Sequence, residues 1–258
     1  MRIGMKLHWK KTCTSYIFCD RIQLHEVYKM EDLQMLKGII FDMDGVLINS
    51  EPQHYEAYAR MLERFGLTIP YEEYKGFIGS TCAKLNEYIA EKFPINLTPE
   101  QIHVEMMKER DWLTETKGYV PVPGACDFVK MLKEQGMKLA VASSSPMEDI
   151  LAATEQLGIK EYFDELISGS ELANPKPAPD VFLKAIESIG LQPEECLVIE
   201  DSGNGVRAGK AAGCAVLAFY NPDSGNQDLS PADYVIESFE GLEFEFVHRV
   251  HQRFVGEP

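Results

Sequence analysis

The pattern of apolar positions after residue 36 alternates between short runs and longer segments with helical spacing. Six runs are too short for helices and predict buried strands, at residues 38–41, 139–142, 166–168, 197–199, 215–218 and 234–236. Helical spacing lies between them, at residues 125–135, 147–157, 179–189 and 206–212. A glycine follows each of these helices, where a left-handed C-cap favours it. Strands that are apolar on both faces and alternate with helices predict a parallel sheet in an α/β fold.

One interval interrupts this alternation. Roughly 75 residues separate Asp44 from Gly118, whereas a whole βαβ unit needs about 30. The interval contains helical patterns at residues 52–65, 82–93 and 99–116 but no convincing strand. We therefore predict an all-helical domain at residues 51–119, inserted into a core formed by residues 37–50 and 120–240. Residues 241–258 are expected to be a tail that after His248 is a frayed helix or disordered.

The net charge of the chain argues against polyanionic binding partners. The chain has 41 acidic and 25 basic residues, a formal net charge of -16, so we expect it to bind neither nucleic acid nor an anionic membrane. The first 36 residues differ, with six basic and four acidic side chains. We interpret residues 1–36 as an N-terminal extension, disordered and outside the fold.

The remaining composition indicates a reducing compartment. Six cysteines in 258 residues, with no C-x-x-C pair, do not form a disulfide framework. No run of about 18 apolar residues is present to cross a membrane, and the basic N-terminus lacks the apolar segment of a secretion signal. We expect a cytoplasmic protein and a monomer.

Candidate chemistry follows from the ends of the predicted strands. Acids, hydroxyls and a lysine gather there: Asp42 and Asp44 after the first strand, Ser143, Ser144 and Ser145 after the second, Lys176 in a later loop, and Glu200 and Asp201 after the fourth. The carboxyl ends of parallel strands meet at one edge of the sheet, where ligands bind. We expect these side chains to converge there.

Four converging carboxylates need a cation. Ligands that are all oxygen, without histidine or cysteine, favour Mg²⁺, whose usual partner in proteins is a phosphate group. Asp42 and Asp44 lie two apart on an extended segment, so both can face the site. One carboxylate would attack phosphorus while the other transfers protons, and Asp42 is the better nucleophile. Lys176 would offset negative charge on the phosphoryl group.

Three other interpretations remain. Asp and Ser after strands are often only helix N-caps, and a lone lysine is usually solvated, although their occurrence together on successive strand ends argues against coincidence. A protein that binds a metal without turning over a substrate would typically lack Asp42 or Lys176, and both are present.

Residues 203–208 also match the dinucleotide pattern G-x-G-x-x-A. Asp223, 20 residues beyond Gly203, could imitate the ribose-binding acid of such a domain. However, the 35 residues after Asp223 are too few for the remaining strands, and Glu200 and Asp201 would repel a pyrophosphate.

The same residues resemble the signatures of the haloacid dehalogenase superfamily of phosphohydrolases. The first is Phe41-Asp42-Met43-Asp44-Gly45-Val46-Leu47, the second Ser143, the third Lys176 in Lys-Pro-Ala-Pro-Asp, and the fourth residues 200–205. The resemblance covers roughly residues 37–240 and implies a Rossmann-like sheet with a helical cap inserted after the first motif.

The resemblance also implies a role for each residue. Asp42 would be the nucleophile and a Mg²⁺ ligand, and Asp44 the acid/base whose backbone carbonyl binds the metal. Glu200 and Asp201 would complete the metal shell. Ser143, the amide of Ser144 and Lys176 would bind the phosphoryl group.

Within the superfamily, the chain is most similar to the subgroup of β-phosphoglucomutase and small sugar-phosphate phosphatases. His54 stands where that mutase has a cap-hinge histidine, which makes it a candidate for substrate binding, and a partly buried surface histidine is the alternative interpretation. Where the mutase uses a cap arginine for its second phosphate, this chain has Thr81 or Cys82, and Pro146 and Met147 replace a lysine and an asparagine. Because a mutase must bind two phosphates, these losses favour a phosphatase of small phosphomonoesters, with the phosphomutase as the alternative.

Overall fold

The six apolar runs pair into one parallel sheet. The structure is a computed structural model that describes residues 36–78 and 82–256. Its strands are β1 (Gly38–Phe41), β2 (Lys138–Ser143), β3 (Glu165–Ser168), β4 (Cys196–Glu200), β5 (Ala215–Phe219) and β6 (Tyr234–Ile236). Their order is β3-β2-β1-β4-β5-β6, with every neighbouring pair parallel. From β1 the chain first adds β2 and β3 on one side of the sheet and then β4, β5 and β6 on the other. The carboxyl ends of β1 and β4 therefore lie side by side at the switch point of the sheet.

Helices fill the connections. They are α1 (Glu51–Glu63), α2 (Tyr71–Lys75), α3 (Cys82–Lys92), α4 (Pro99–Lys117), α5 (Ala125–Glu134), α6 (Met147–Gln156), α7 (Asp180–Ser188), α8 (Gly203–Ala211) and α9 (Phe244–Gly256). Most bounds lie within a residue or two of those predicted, but α2 was not predicted. Helix α8 begins three residues early because the Ser202 hydroxyl accepts a hydrogen bond from the Gly205 amide and caps it.

Alternate residues of the strands supply two apolar layers. Ile39 and Phe41 face one side of the sheet, where α5, α6 and α9 pack, and Ile40 faces the other, where α7 and α8 pack. All four β1 residues are buried. The sheet is thus covered on both faces, which confirms the Rossmann-like α/β architecture.

Helices α1–α4, here called the cap, follow β1 and bury an apolar cluster of their own. Tyr58, Met61, Ile89 and Ile102 are at its centre, each almost fully buried. Helix α4 begins with a capping box, in which the Thr98 hydroxyl accepts a hydrogen bond from the Gln101 amide and the Gln101 side chain accepts one from the Thr98 amide.

The chain beyond His248 is helical, as one of the two expectations for the tail had it, but up to Gly256 it is packed and not frayed or disordered. It continues as α9, whose Val247 and Val250 belong to the apolar layer under β5. His251 is completely buried, and its Nε2 lies 2.7 Å from the carbonyl oxygen of Glu194. Apolar residues on one helical face stabilise this segment, and the sequence pattern was missed because three charged residues and two histidines interrupt it.

The prediction for residues 1–36 concerns a stretch that, apart from the buried Leu36, lies outside the described residues. Within the described part, no helix is both long and apolar enough to cross a bilayer.

Candidate active site

Three carboxylates meet at the switch point of the sheet. Asp42 follows β1, Glu200 ends β4 and Asp201 comes next, so the pairing of Phe41 with Ile199 brings them to the same edge. One oxygen of each lies within 4.8 Å of the others, and all three residues are buried. These are three of the four predicted metal ligands.

Lys176 lies between two of these acids. Its Nζ donates to Asp42 Oδ1 and to Glu200 Oε1, both at 2.8 Å, and its side chain is only 8% exposed. Burial alone would lower the pKa of Lys176, but the carboxylates of Asp42 and Glu200 outweigh burial and raise it. The lysine predicted from a loop motif is therefore a charged, buried part of the site and not a solvated surface residue.

One ammonium group does not neutralise three carboxylates. Burial raises the pKa of Asp42 to about 7, against the opposing effect of Lys176, and the charges of Glu200 and Asp44 add to the rise. Burial likewise raises the pKa of Asp201 well above its ordinary value, with Glu200 and Asp42 adding to it. A divalent cation would remove this cost, and donors that are all carboxylate oxygens suit Mg²⁺. The residues present therefore fit the metal that the resemblance implies.

Two glycines allow the carboxylates to pack this closely. Gly45 has φ +80°, and a Cβ there would lie 1.9 Å from Asp201 Oδ2. A Cβ at Gly205 would lie 1.6 Å from Glu200 Oε1. Only glycine fits at these two positions, after β1 and at the start of α8, without displacing Asp201 or Glu200.

Hydrogen bonds fix the orientation of two of the acids. The Ser202 amide and hydroxyl donate to Glu200 Oε2 at 2.7 Å and 3.0 Å. The hydroxyl of Ser224 donates to Asp201 Oδ2. Neither serine was chosen from the sequence as a support of the site, although Ser202 is adjacent to the acidic motif.

Asp44 lies apart from the carboxylate cluster. Its Oδ2 accepts hydrogen bonds from Ser145 Oγ at 2.6 Å and from Ser143 Oγ at 3.4 Å. Its side chain therefore faces the serine loop after β2 and is absent from the set of carboxylates that meet around Asp42. Because the Asp44 carboxylate is outside that set, it is available for proton transfer.

The other predicted site residues line the space between cap and core. Ser144 is exposed and borders a cavity of about 470 Å³, together with His54 from α1. A smaller adjoining cavity, of about 100 Å³, is bordered by Asp44, His54 and Ser145. The structure brings the predicted residues to one region, with His54 on the cap side and the serines on the core side.

Sequence reasoning missed several polar residues of these cavities. Glu51 and Arg110 line the larger one, and Arg110 forms an ion pair with Asp149 of the core. Glu51 follows the first motif closely, so its place in the sequence could have indicated that it lies near the site. Arg110 and Asp149 lie in helices and have no motif around them. Only their packing across the cap and core brings them to the site.

Comparisons with known proteins agree with this geometry. The family profile for haloacid dehalogenase-like hydrolases matches residues 36–213. Hexitol phosphatase A of Escherichia coli is 32% identical over 208 residues, covering 80% of this chain and 93% of that protein. The phosphorylated carbohydrates phosphatase of Thermotoga maritima is 31% identical over 182 residues, covering 69% and 82%.

Solved structures show the same fold. The crystal structure of CbbY from Rhodobacter sphaeroides in complex with phosphate superimposes with a TM-score of 0.68 at 28% identity, covering 81% of this chain and 96% of that one. The profile match extends over more than half of the chain and includes all four motifs that form the site. This chain belongs to the haloacid dehalogenase-like hydrolase family.

Proposed function

We propose that the protein is a Mg²⁺-dependent phosphatase that hydrolyses a small phosphomonoester, a sugar phosphate, through an aspartyl-phosphate on Asp42. The observation that supports this best is the division of the two acids after β1. Asp42 forms an ion pair with Lys176 within the three-carboxylate cluster, while Asp44 is outside the cluster and accepts a hydrogen bond from Ser145. A nucleophile and a proton donor need these two different environments.

The first half-reaction transfers the phosphoryl group. An oxygen of Asp42 attacks phosphorus, and the bond from phosphorus to the sugar oxygen breaks. Protonated Asp44 gives its proton to that leaving oxygen. Lys176 and the Ser143 hydroxyl stabilise charge on the phosphoryl oxygens.

The second half-reaction restores the enzyme. Asp44, now a carboxylate, takes a proton from water, and the water oxygen attacks the phosphorus of the aspartyl-phosphate. The bond to Asp42 breaks, releasing inorganic phosphate. Asp42, Glu200 and Asp201 would hold Mg²⁺, which when bound supplies positive charge for the phosphoryl oxygens and lowers the pKa of its carboxylate ligands.

Phosphate release tests the proposal. Purified protein with Mg²⁺ is incubated with sugar phosphates, phosphoglycolate, nucleoside monophosphates and p-nitrophenyl phosphate. We expect phosphate release from at least one sugar phosphate, inhibition by EDTA and recovery with Mg²⁺. Clean interconversion of glucose 1-phosphate and glucose 6-phosphate, with no phosphate released from any compound, would establish the phosphomutase instead.

We propose that the reaction takes place in a reducing, cytoplasmic environment. The described cysteines Cys82, Cys126, Cys196 and Cys214 are all free thiols, which supports this setting. We propose further that the active species is a monomer, since the carboxylates, Lys176 and the cavity all come from one chain.

A further inference from the structure

The larger cavity between cap and core shares His54, Arg110 and Ser145 with the smaller cavity that Asp44 borders. Under the proposed function, the larger cavity would hold the part of the substrate from which the phosphoryl group is removed. It adjoins Ser144 and Ser145 on the core side and has a volume of about 470 Å³, within the usual range for small-molecule sites. Its cap side is mostly apolar and aromatic, including Phe77, Ile78 and Leu85. A substrate there must satisfy the few polar groups that remain.

Those polar groups suit hydroxyl groups. Glu51 is half-buried in the first turn of α1, and its Oε2 accepts a hydrogen bond from Tyr74 Oη at 2.9 Å. The other Glu51 oxygen has no hydrogen bond among the described residues and can accept one from a hydroxyl. His54 and His103 line the same cavity and offer ring nitrogens.

Arg110 is the only lysine or arginine of the described residues that lines this cavity, and it is already paired. Its Nη1 lies 3.0 Å from Asp149 Oδ2, and its Nη2 lies 2.8 Å from Asp111 Oδ1. The side chains of Arg110 and Asp149 are 20% and 19% exposed, so solvent screens this pair only in part. Two carboxylates thus surround one guanidinium.

The charged side chains that border the two adjoining cavities are therefore negative in total. Glu51 borders the larger cavity and Asp149 the smaller one, so these two carboxylates exceed the one guanidinium of Arg110, which borders both. A second phosphate or a carboxylate on the substrate would have to displace Asp149 from Arg110 and would still face Glu51. Repulsion between like charges opposes binding more strongly at a partly buried site than in water.

We propose that this cavity selects an uncharged, polyhydroxylated leaving group, the body of a neutral sugar or polyol monophosphate, and that Asp149 excludes a second anionic group by holding Arg110. The inference rests on the proposed phosphatase function and adds the substrate class. Asp149 acts here as a positioning residue, because it works through Arg110 and is not required to touch the substrate.

The test compares two substrates that differ in one group. Glucitol 6-phosphate and 6-phosphogluconate have the same length and phosphoester, but the second has a carboxylate in place of a terminal alcohol. We expect the wild-type kcat/KM for glucitol 6-phosphate to exceed that for 6-phosphogluconate at least about tenfold. p-Nitrophenyl phosphate serves as a general substrate.

Asp149→Asn releases Arg110 without changing the size of the side chain. We expect this variant to shift the ratio of the two kcat/KM values toward 6-phosphogluconate by about tenfold. Glu51→Gln, which removes the other charge and keeps an acceptor for Tyr74, should shift the ratio in the same direction and gives a second measurement if Asp149→Asn folds poorly. Glu105→Gln is the matched control, since Glu105 pairs with Arg64 and does not line the cavity.

The outcomes separate the two proposals. If no phosphate is released from any compound, including p-nitrophenyl phosphate, the phosphatase function is wrong. If p-nitrophenyl phosphate is hydrolysed but 6-phosphogluconate is used as well as glucitol 6-phosphate, or neither is used, the inference about the leaving group is wrong. A ratio that both variants leave unchanged would remove Asp149 and Glu51 from specificity.

Discussion

At the scale of single residues, the buried acids of the site have few positive charges to balance them. Lys176 bonds Asp42 and Glu200, while Asp201 has a hydroxyl partner, Ser224, and no cationic one among the described residues. Asp44, two residues from Asp42, has serine hydroxyls as its partners. Two carboxylates close in sequence therefore have different chemistry because their neighbours differ.

Substitution should separate the two roles. Asp42→Asn removes the nucleophile and should lower phosphate release at least about a thousandfold for every substrate. Asp44→Asn removes the proton donor and should slow expulsion of the sugar by about 100-fold to 10,000-fold, but expulsion of nitrophenolate much less, because nitrophenolate leaves without a proton. Since Asp44 also takes a proton from water in the second half-reaction, this comparison uses the first-turnover release of the sugar or of nitrophenolate, and steady-state phosphate release measures Asp42→Asn.

The exposed Asp127 provides the control for these variants. Its side chain is 90% exposed on α5, so Asp127→Asn should keep wild-type rates. Circular dichroism checks that each variant is folded. Wild-type turnover in Asp42→Asn would rule out the aspartyl-phosphate.

Gly205 should be necessary for metal affinity. An alanine Cβ would lie 1.6 Å from Glu200 Oε1, so Gly205→Ala must displace that carboxylate. We expect the Mg²⁺ concentration for half-maximal activity to rise about tenfold or more. Gly76→Ala is the matched control, since the nearest atom to its Cβ is 3.4 Å away. An unchanged Mg²⁺ requirement in Gly205→Ala would show that Glu200 is not needed for the metal.

At the scale of elements, the sheet positions the acids and α9 covers part of the sheet. Helix α9 places Val247 and Val250 in the apolar layer that also contains Leu217 and Phe219 of β5. Since β5 is the neighbour of β4, which delivers Glu200, this helix supports the strand next to the site. The segment is a structural element of the core.

Truncation of one α9 side chain tests that conclusion. Val247 is fully buried, so Val247→Ala should lower the free energy of unfolding by about 2 kcal/mol through lost burial and a cavity. Val104→Ala on α4, where the valine is 52% exposed, should change it by less than about 0.5 kcal/mol. Urea unfolding measures both. Equal effects would mean that α9 is not packed in solution as described.

At the scale of the whole molecule, the chain has a large negative net charge and also a local concentration of acids at the site. The formal charge of -16 disfavours polyanionic partners, whereas the buried acids at the switch point create a demand for one cation. Lys176 meets part of that demand, and a divalent ion would meet the rest. The same acidic chain can therefore accept a small phosphorylated substrate.

Without metal, the stability of the folded protein should depend on pH, because the buried acids then have no divalent cation to balance their charge. The pKa values of Asp42 and Asp201 are raised in the folded state, so the folded protein retains protons that the unfolded chain has lost. The contribution of these groups to stability therefore falls as pH rises from about 4 to about 7. Because Mg²⁺ replaces those protons, the Mg²⁺-induced rise in Tm should be larger at about pH 7.5 than at about pH 5.

Thermal unfolding with and without Mg²⁺ at the two pH values measures this difference. Asp42→Asn removes one of the titrating groups and should reduce the pH dependence. A metal effect that is equal at both pH values, or larger in acid, would contradict the charge balance described for the site.

The sequence alone determined the strands, most helices and the catalytic candidates. Short apolar runs, glycines after helices and acids at strand ends are local features, and the parallel order of strands brings their carboxyl ends together. For that reason Asp42, Glu200, Asp201 and Lys176 could be grouped from the sequence. The sign of the net charge was likewise sufficient to disfavour polyanions as partners.

Only the tertiary structure decided which residues line the cavities between cap and core and which acids share Lys176. Arg110 and Asp149 lie 39 residues apart, in two helices, and meet only when cap and core pack together. The environments that divide Asp42 from Asp44, and the burial that makes α9 part of the core, also depend on distant contacts. Desolvation and Coulomb interactions act through space, so a pattern along the chain does not contain them.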